Sequence, residues 1–123
     1  MVMYERDFKI IVPRTSVKNI EFVAKNMSHQ FGGVTLHPQI RGLWVDAKGK
    51  LVADNNIMFF SSRDFEGRKN REKILRDDRK FMKKLALDIG RKTKQDAIWI
   101  EEDIIKDVSF VHIPKNKRLK EVM

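Results

Sequence analysis

The succession of apolar segments along the 123 residues predicts an α+β domain of the ferredoxin-like, split βαβ kind: a four- to five-stranded antiparallel sheet with two helices on one face and an inserted hairpin. Three observations predict it. Short runs rich in β-branched and aromatic residues alternate with two segments whose apolar residues recur every three or four positions, glycines and prolines fall between them, and the chain has the length of one hydrophobic core. Two helical crossovers around antiparallel strands are the economical way to connect such an order.

Phe8 to Val12 (FKIIV) reads as a buried first strand stopped by Pro13. Ser16 offers an N-cap, and Val17, Ile20, Ala24, Met27 and Phe31 then form one helical stripe that Gly32-Gly33 brings to a left-handed stop. Val34 to His37 reads as a strand cut by Pro38. Gly42 to Asp46 meets Lys50 to Val52 across Asp46-Ala47-Lys48-Gly49, a hairpin signature. Ile57 to Phe60 (IMFF), apolar throughout, is expected at the centre of the sheet, with Ser61 to Asp64 capping the next helix and Asp64 as its N-cap.

That second helix is expected over Phe65 to Ile89, carried by Ile74, Leu75, Phe81, Met82, Leu85, Ala86 and Ile89, weakened at Gly67 and ended by Gly90. Ala97 to Ile100 supplies a further strand, and Val108 to Ile113 offers a fifth. Residues 1–113 are thus read as a single α+β domain and 114–123 as a basic C-terminal tail that frays.

With no cysteine, disulfides, thiolate metal sites and a cysteine nucleophile are excluded, and a reducing, cytoplasmic setting is expected. No apolar run approaches the roughly 20 residues of a membrane span, so no membrane partner is expected. The formal charge of +9 predicts affinity for polyanions, because each neutralised phosphate releases a condensed counterion. Most of that excess is local. Residues 66–94 hold twelve Lys and Arg against five Asp and Glu, a net +7.

Phe31-Gly32-Gly33, Thr35, Gly42, Trp44 and Gly49 resemble the FGG-x-T…G-x-W…G pattern of small uncharacterised bacterial, archaeal and phage-type domains with a ferredoxin-like outline, over about residues 4–103. The resemblance implies architecture and no activity. The long basic second helix and the tail depart from it.

Three constellations carry candidate chemistry. On the second helix, Arg68, Arg71, Arg76, Arg79, Lys80 and Lys83 are expected to face away from Ile74, Phe81 and Leu85 and to contact nucleic acid through its backbone, since neither a helix-turn-helix partner nor zinc spacing is present. The plain alternative is a solvated helix face with pairs such as Glu72 with Arg76. Base stacking in RNA-binding sheets would need Phe59, Phe60 or Trp99 to point outward, whereas aromatic residues are mostly buried and a core role is expected.

Second, Thr35, His37, Arg41 and Trp44 gather a hydroxyl, an imidazole, a guanidinium and an indole able to hold a phosphate-bearing small ligand, against the plainer expectation that Trp44 fills the core. Third, Asp96, Glu101, Glu102, Asp103 and Asp107 are read as a solvated acidic loop rather than a Mg²⁺ site. His29, His37 and His112 lack metal-ligand spacing, and no metal or cofactor is expected. The reading is a non-enzymatic binding module for an anionic partner, nucleic acid foremost, forming a homo-oligomer. Its alternative is an oligomeric protein that binds or sequesters a nucleotide-like phosphate ligand, or a minor enzyme, with the site at a subunit boundary.

Overall fold

A computed structural model describes residues 4–105 and gives the elements β1 (Tyr4–Pro13), α1 (Val17–Phe31), β2 (Thr35–Val45), β3 (Leu51–Asp64), α2 (Arg71–Lys92) and β4 (Trp99–Ile104). The strands form one antiparallel sheet in the order β2-β3-β1-β4, the ferredoxin-like arrangement. Val108 to Ile113 and the tail 114–123 lie outside the described residues.

Period-two alternation decides which face the helices cover. Phe8, Ile10 and Val12 of β1 and Ile57 and Phe59 of β3 are buried against Val23, Met27 and Phe31 of α1 and Leu75, Met82, Leu85 and Ile89 of α2. Lys9 and Ile11 point to the opposite face, so the FKIIV run alternates instead of being buried throughout. Helix α1 starts and stops as expected. Ser16 Oγ accepts the Asn19 N–H at 3.3 Å, and Gly32, at φ 89°, donates its N–H to Ser28 O at 2.8 Å. Val17 is 69% exposed while Val23 is fully buried. Ten residues of helical rotation set Val17 roughly 80° from Met27, outside the stripe.

The sheet corrects three boundaries. Pro38 does not end a strand, because β2 lies at the sheet edge, where a missing N–H costs no ladder bond, and the chain absorbs the ring in a bulge between His37 and Ile40. The expected inserted hairpin is therefore the far end of one long β2–β3 ribbon. Its turn is as read: Asp46 Oδ1 accepts the N–H groups of Lys48 and Lys50, both at 2.9 Å, and Gly49 takes φ 79°.

Ser61 to Asp64 belong to β3 and cap nothing, since the alternation runs on and buries Ser61 and Arg63. Ser61 Oγ donates to Gly33 O at 2.6 Å, and Asp64 Oδ1 accepts the Glu66 N–H at 2.8 Å in the turn that leads to α2. The helix begins at Arg71 after Asn70 and passes through Gly90 to Lys92. Gly90 serves a close approach rather than a stop, because a Cβ there would stand 3.3 Å from Ile98 Cγ1. Thr93 ends the helix instead, with its N–H donating to Ile89 O at 2.9 Å and its Oγ1 to the same oxygen at 2.7 Å.

One buried ion pair joins three elements. Arg63 of β3 donates Nε to Asp78 Oδ2 at 2.8 Å and Nη2 to Asp78 Oδ1 at 2.6 Å, and Nη2 also donates to Gln30 O at 3.0 Å. Gln30 Nε2 completes the carboxylate shell at 2.9 Å, and the guanidinium lies 5.0 Å from the Phe31 ring centroid. A second, more exposed clamp ties α2 to the β4 edge, where Arg79 forks onto Glu102 at 2.6 and 2.7 Å and Arg6 approaches from β1 at 3.4 Å.

Asp78→Ala leaves the guanidinium buried without its counter-charge and is expected to cost about 3–5 kcal/mol in urea unfolding, while Arg63→Met with Asp78→Leu recovers most of the loss. Equal stability of Asp78→Ala and the native chain would refute the assignment. Glu102 is held below the usual carboxylate range, chiefly by the hydrogen bond from Arg79 and against the opposing effect of burial. Its folded-state pKa lies below its unfolded one, so its contribution is complete above about pH 4.3 and disappears as pH falls through the folded value. Thermal melts between pH 7 and pH 3 should therefore show a shallower acid limb for Glu102→Gln; superimposable limbs would remove the pair from the account.

Candidate functional site

Registers place the side chains of the uncovered sheet face in rows across β2, β3, β1 and β4. One row reads His37, Met58, Ile11, Trp99, and the next Thr35, Phe60, Lys9, Glu101. Ser62, Asp7 and Asp103 close one end. The middle is apolar and aromatic: His37 stacks on Phe60 with centroids 5.7 Å apart, and Trp99 is 62% exposed with Nε1 donating to Glu101 Oε1 at 2.6 Å.

At the polar end Ser62 Oγ donates to Asp7 Oδ1, and Lys9 Nζ lies 3.1 Å from Asp103 Oδ2. The hydrogen bond to Asp103 is the main influence raising the Lys9 pKa, so its ammonium stays charged among three carboxylates.

Beyond Pro13, β1 stops while β3 continues, and the connection into β4 passes on the other side. The gap is an open notch of about 460 Å³ lined by Ile11, Pro13, Asp54, Asn56, Gln95 and Trp99, with Asn55 and Ala97 completing it. Asn55 is fixed from the backbone, its carbonyl accepting the Arg14 N–H at 3.0 Å. Apolar walls and several amide groups thus converge on one concavity, the usual composition of a small-molecule site.

Sequence reasoning located part of this site. Thr35, His37 and Trp44 do share the open face, but Arg41 does not: the bulge at Pro38 and Gln39 adds one residue, so Arg41 pairs with Asn55 and turns to the opposite face. Trp44 is 49% exposed rather than in the core, its Nε1 donating to Asp54 Oδ2 at 2.9 Å. Trp99, expected in the core, is on the surface; Phe59 is fully buried as expected, and Phe60 is half-buried on the open face. The notch residues Asp54, Asn55, Asn56 and Gln95 escaped notice. The first three carry one signal, a polar run between two apolar ones, and Gln95 carries none.

The basic residues separate as well. Arg68 lies in the turn before α2, its N–H donating to Phe65 O at 3.0 Å, and Arg71 opens the helix with its guanidinium 5.4 Å from the Phe65 ring centroid. Arg79 is engaged by Glu102. Arg76 and Lys80 remain exposed on the outer side of α2 and Lys83 on its flank toward β4, with no ion pair among the described residues. The acidic residues also divide by strand alternation: Glu101 and Asp103 face the open side, Glu102 faces α2, and Asp107 lies outside the described residues. Among the described residues, no three or more His, Asp or Glu side chains are arranged to hold a metal ion, and no helix is long and apolar enough to cross a membrane.

The chain matches no protein-family model, and no curated protein is similar to it in sequence. Among solved structures it is similar to a phage SAM lyase in complex with S-methyl-5′-thioadenosine, at 14% identity over 81% of each chain with a TM-score of 0.57. It is similar to CutA1 from Oryza sativa, at 13% identity over 88% of this chain and 85% of that one with a TM-score of 0.54. A third likeness is to the divalent cation tolerance protein CutA1 of Thermus thermophilus, at 15% identity over 96% of this chain and 93% of that one, TM-score 0.52. At these identities the likeness is one of fold, and the fold it supports is the ferredoxin-like one.

Proposed function

We propose that the protein binds a small nucleoside-type ligand in the notch at the end of β1, with Trp99 as the stacking wall, and that it does so as a homo-oligomer. The observation that carries the reading is a largely exposed indole beside a concavity lined by Asp54, Asn55, Asn56 and Gln95. Purine edges present paired donors and acceptors that carboxamides match, and stacking a base on an aromatic ring contributes about 1–3 kcal/mol. The thionucleoside in the phage SAM lyase complex supports the ligand class. The described residues offer no comparable support for the divalent cation in the CutA1 name.

Charge favours a nucleoside over a phosphate ester. Asp54 borders the notch, and Asp7, Glu101 and Asp103 surround the lone Lys9 farther along the face, while Arg41 points away. Oligomerisation is supported by the outer part of the β2–β3 ribbon. Leu43, Val45 and Leu51 lie on the side that elsewhere packs under helices, yet each is 62–64% exposed, an apolar cluster suited to a second copy.

Adenosine and S-methyl-5′-thioadenosine are therefore expected to raise the melting temperature of the native chain, with Trp99→Ala and Asn56→Ala each weakening affinity about tenfold or more by calorimetry. Sedimentation velocity should show an assembly that Leu43→Lys with Leu51→Lys reduces to monomer. If no nucleoside shifts the melt, the ligand assignment fails.

A second reading rests on Arg76, Lys80 and Lys83, three cations of α2 without an ion pair among the described residues, as a weak backbone contact for nucleic acid. Filter retention of generic RNA and duplex DNA should fall steeply with salt, and the triple Gln variant should weaken it for every sequence alike. Retention insensitive to both would dismiss this reading.

A further inference from the structure

We propose that the groove between α2 and β4 is a second binding site, specific for an aromatic carboxylate. The groove encloses about 480 Å³, within the range of small-ligand sites, and differs from the notch in lining and in charge. Its floor is hydrocarbon: Ala86 and Gly90 from the helix meet Ile98 and Ile100 from the strand side. The small residues make the space. Gly90 approaches so closely that a Cβ would stand 3.3 Å from Ile98 Cγ1, and Ala86 leaves a shallow depression one turn earlier. Leu87, 59% exposed, forms a raised apolar rim on a helix whose outer side is otherwise charged.

The cations are placed to match. Lys83 and Arg91 both line the groove, both are exposed, and neither is in an ion pair among the described residues. At the other end of the same flank Arg79 is already occupied by Glu102. Among the described residues Asp96 is the one carboxylate in the lining, so the two cations leave it with a positive balance. A flat ring lying over Ile98 and Ile100 covers apolar surface that water otherwise wets, while a carboxylate at its edge takes charge-assisted hydrogen bonds from Lys83 or Arg91. A polyanion is the poorer fit, because its charge cannot be set down on the hydrocarbon floor.

Gln95 and Ala97 line both the groove and the notch, so the two sites share one wall. That wall is tied to the helix end, with Gln95 N–H donating to Gly90 O at 2.9 Å and Gln95 Nε2 to Thr93 O at 3.2 Å. The groove ligand is nevertheless held by residues that the notch does not use.

The test titrates 1-naphthoate into the full chain and follows backbone amide shifts by NMR. The largest shifts are expected at Leu87, Gly90, Ile98 and Ile100, and the neutral 1-naphthalenemethanol should bind roughly tenfold more weakly. Lys83→Gln with Arg91→Gln should lower naphthoate affinity by a similar factor. Lys48→Gln with Lys50→Gln, the same charge loss at the hairpin turn, should leave affinity within twofold, as should Trp99→Ala, which separates this site from the notch. Shifts centred elsewhere, no shifts at all, equal binding of the neutral analogue, or equal weakening by the hairpin variant would each overturn the proposal.

Discussion

The Arg63–Asp78 pair is the constraint on which the arrangement of layers depends. Burying two charges is costly unless each is matched in geometry and number, and here the guanidinium finds the carboxylate and the Gln30 carbonyl while Gln30 returns a donor to the carboxylate. The partners come from β3, α1 and α2, so the shell is complete only when both helices dock on the same face at the same end of the sheet. Apolar packing alone tolerates sliding of a helix over a strand. A forked ion pair does not, since a shift of an ångström breaks two charged hydrogen bonds between buried side chains.

Once both helices are held to one face, strand alternation determines what the other face displays. Phe8, Ile10 and Val12 turn inward and oblige Asp7, Lys9 and Ile11 to turn outward. The same rule lets the bulge at Pro38 decide what β2 displays on that face. Without the extra residue, Arg41 would continue the line of Thr35 and His37 across the open face; with it, Ile40, Gly42 and Trp44 take those positions.

This explains which features were legible in the sequence. Helix α1 was readable because its signals are local: a serine cap, a three-four stripe and a glycine with no Cβ to hinder a positive φ. The Asp46 to Gly49 turn was readable for the same reason. Strand continuity was not. Asp54, Asn55 and Asn56 carry turn-like side chains, yet pairing with β2 holds them in β3, and Ser61 and Arg63 pass for surface residues because their partners, Gly33 and Asp78, are 28 and 15 residues away. Trp99 was misplaced by a rule of averages. Its direction follows from pairing with Ile11, a register that no local pattern encodes.

Charge distribution then separates the surfaces by the ligands each can hold. The net positive charge of the chain lies largely on α2, whereas the open face sets Lys9 among Asp7, Glu101 and Asp103 and leaves Arg41 on the far side. A phosphate backbone laid across the sheet would meet three carboxylates beside one cation, each close enough to be felt within the screening length of about 8 Å at physiological salt. The aromatic side chains of this face are therefore a poor platform for a nucleic-acid strand, although Trp99 is exposed there. The single neutral or cationic base proposed for the notch avoids that repulsion, since its contacts are a ring face and an amide edge. The exposed cations Arg76 and Lys80 lie on the outer side of α2, across the helix layer from the notch, so the charge that would attract a polyanion and the ring that would stack a base belong to different surfaces.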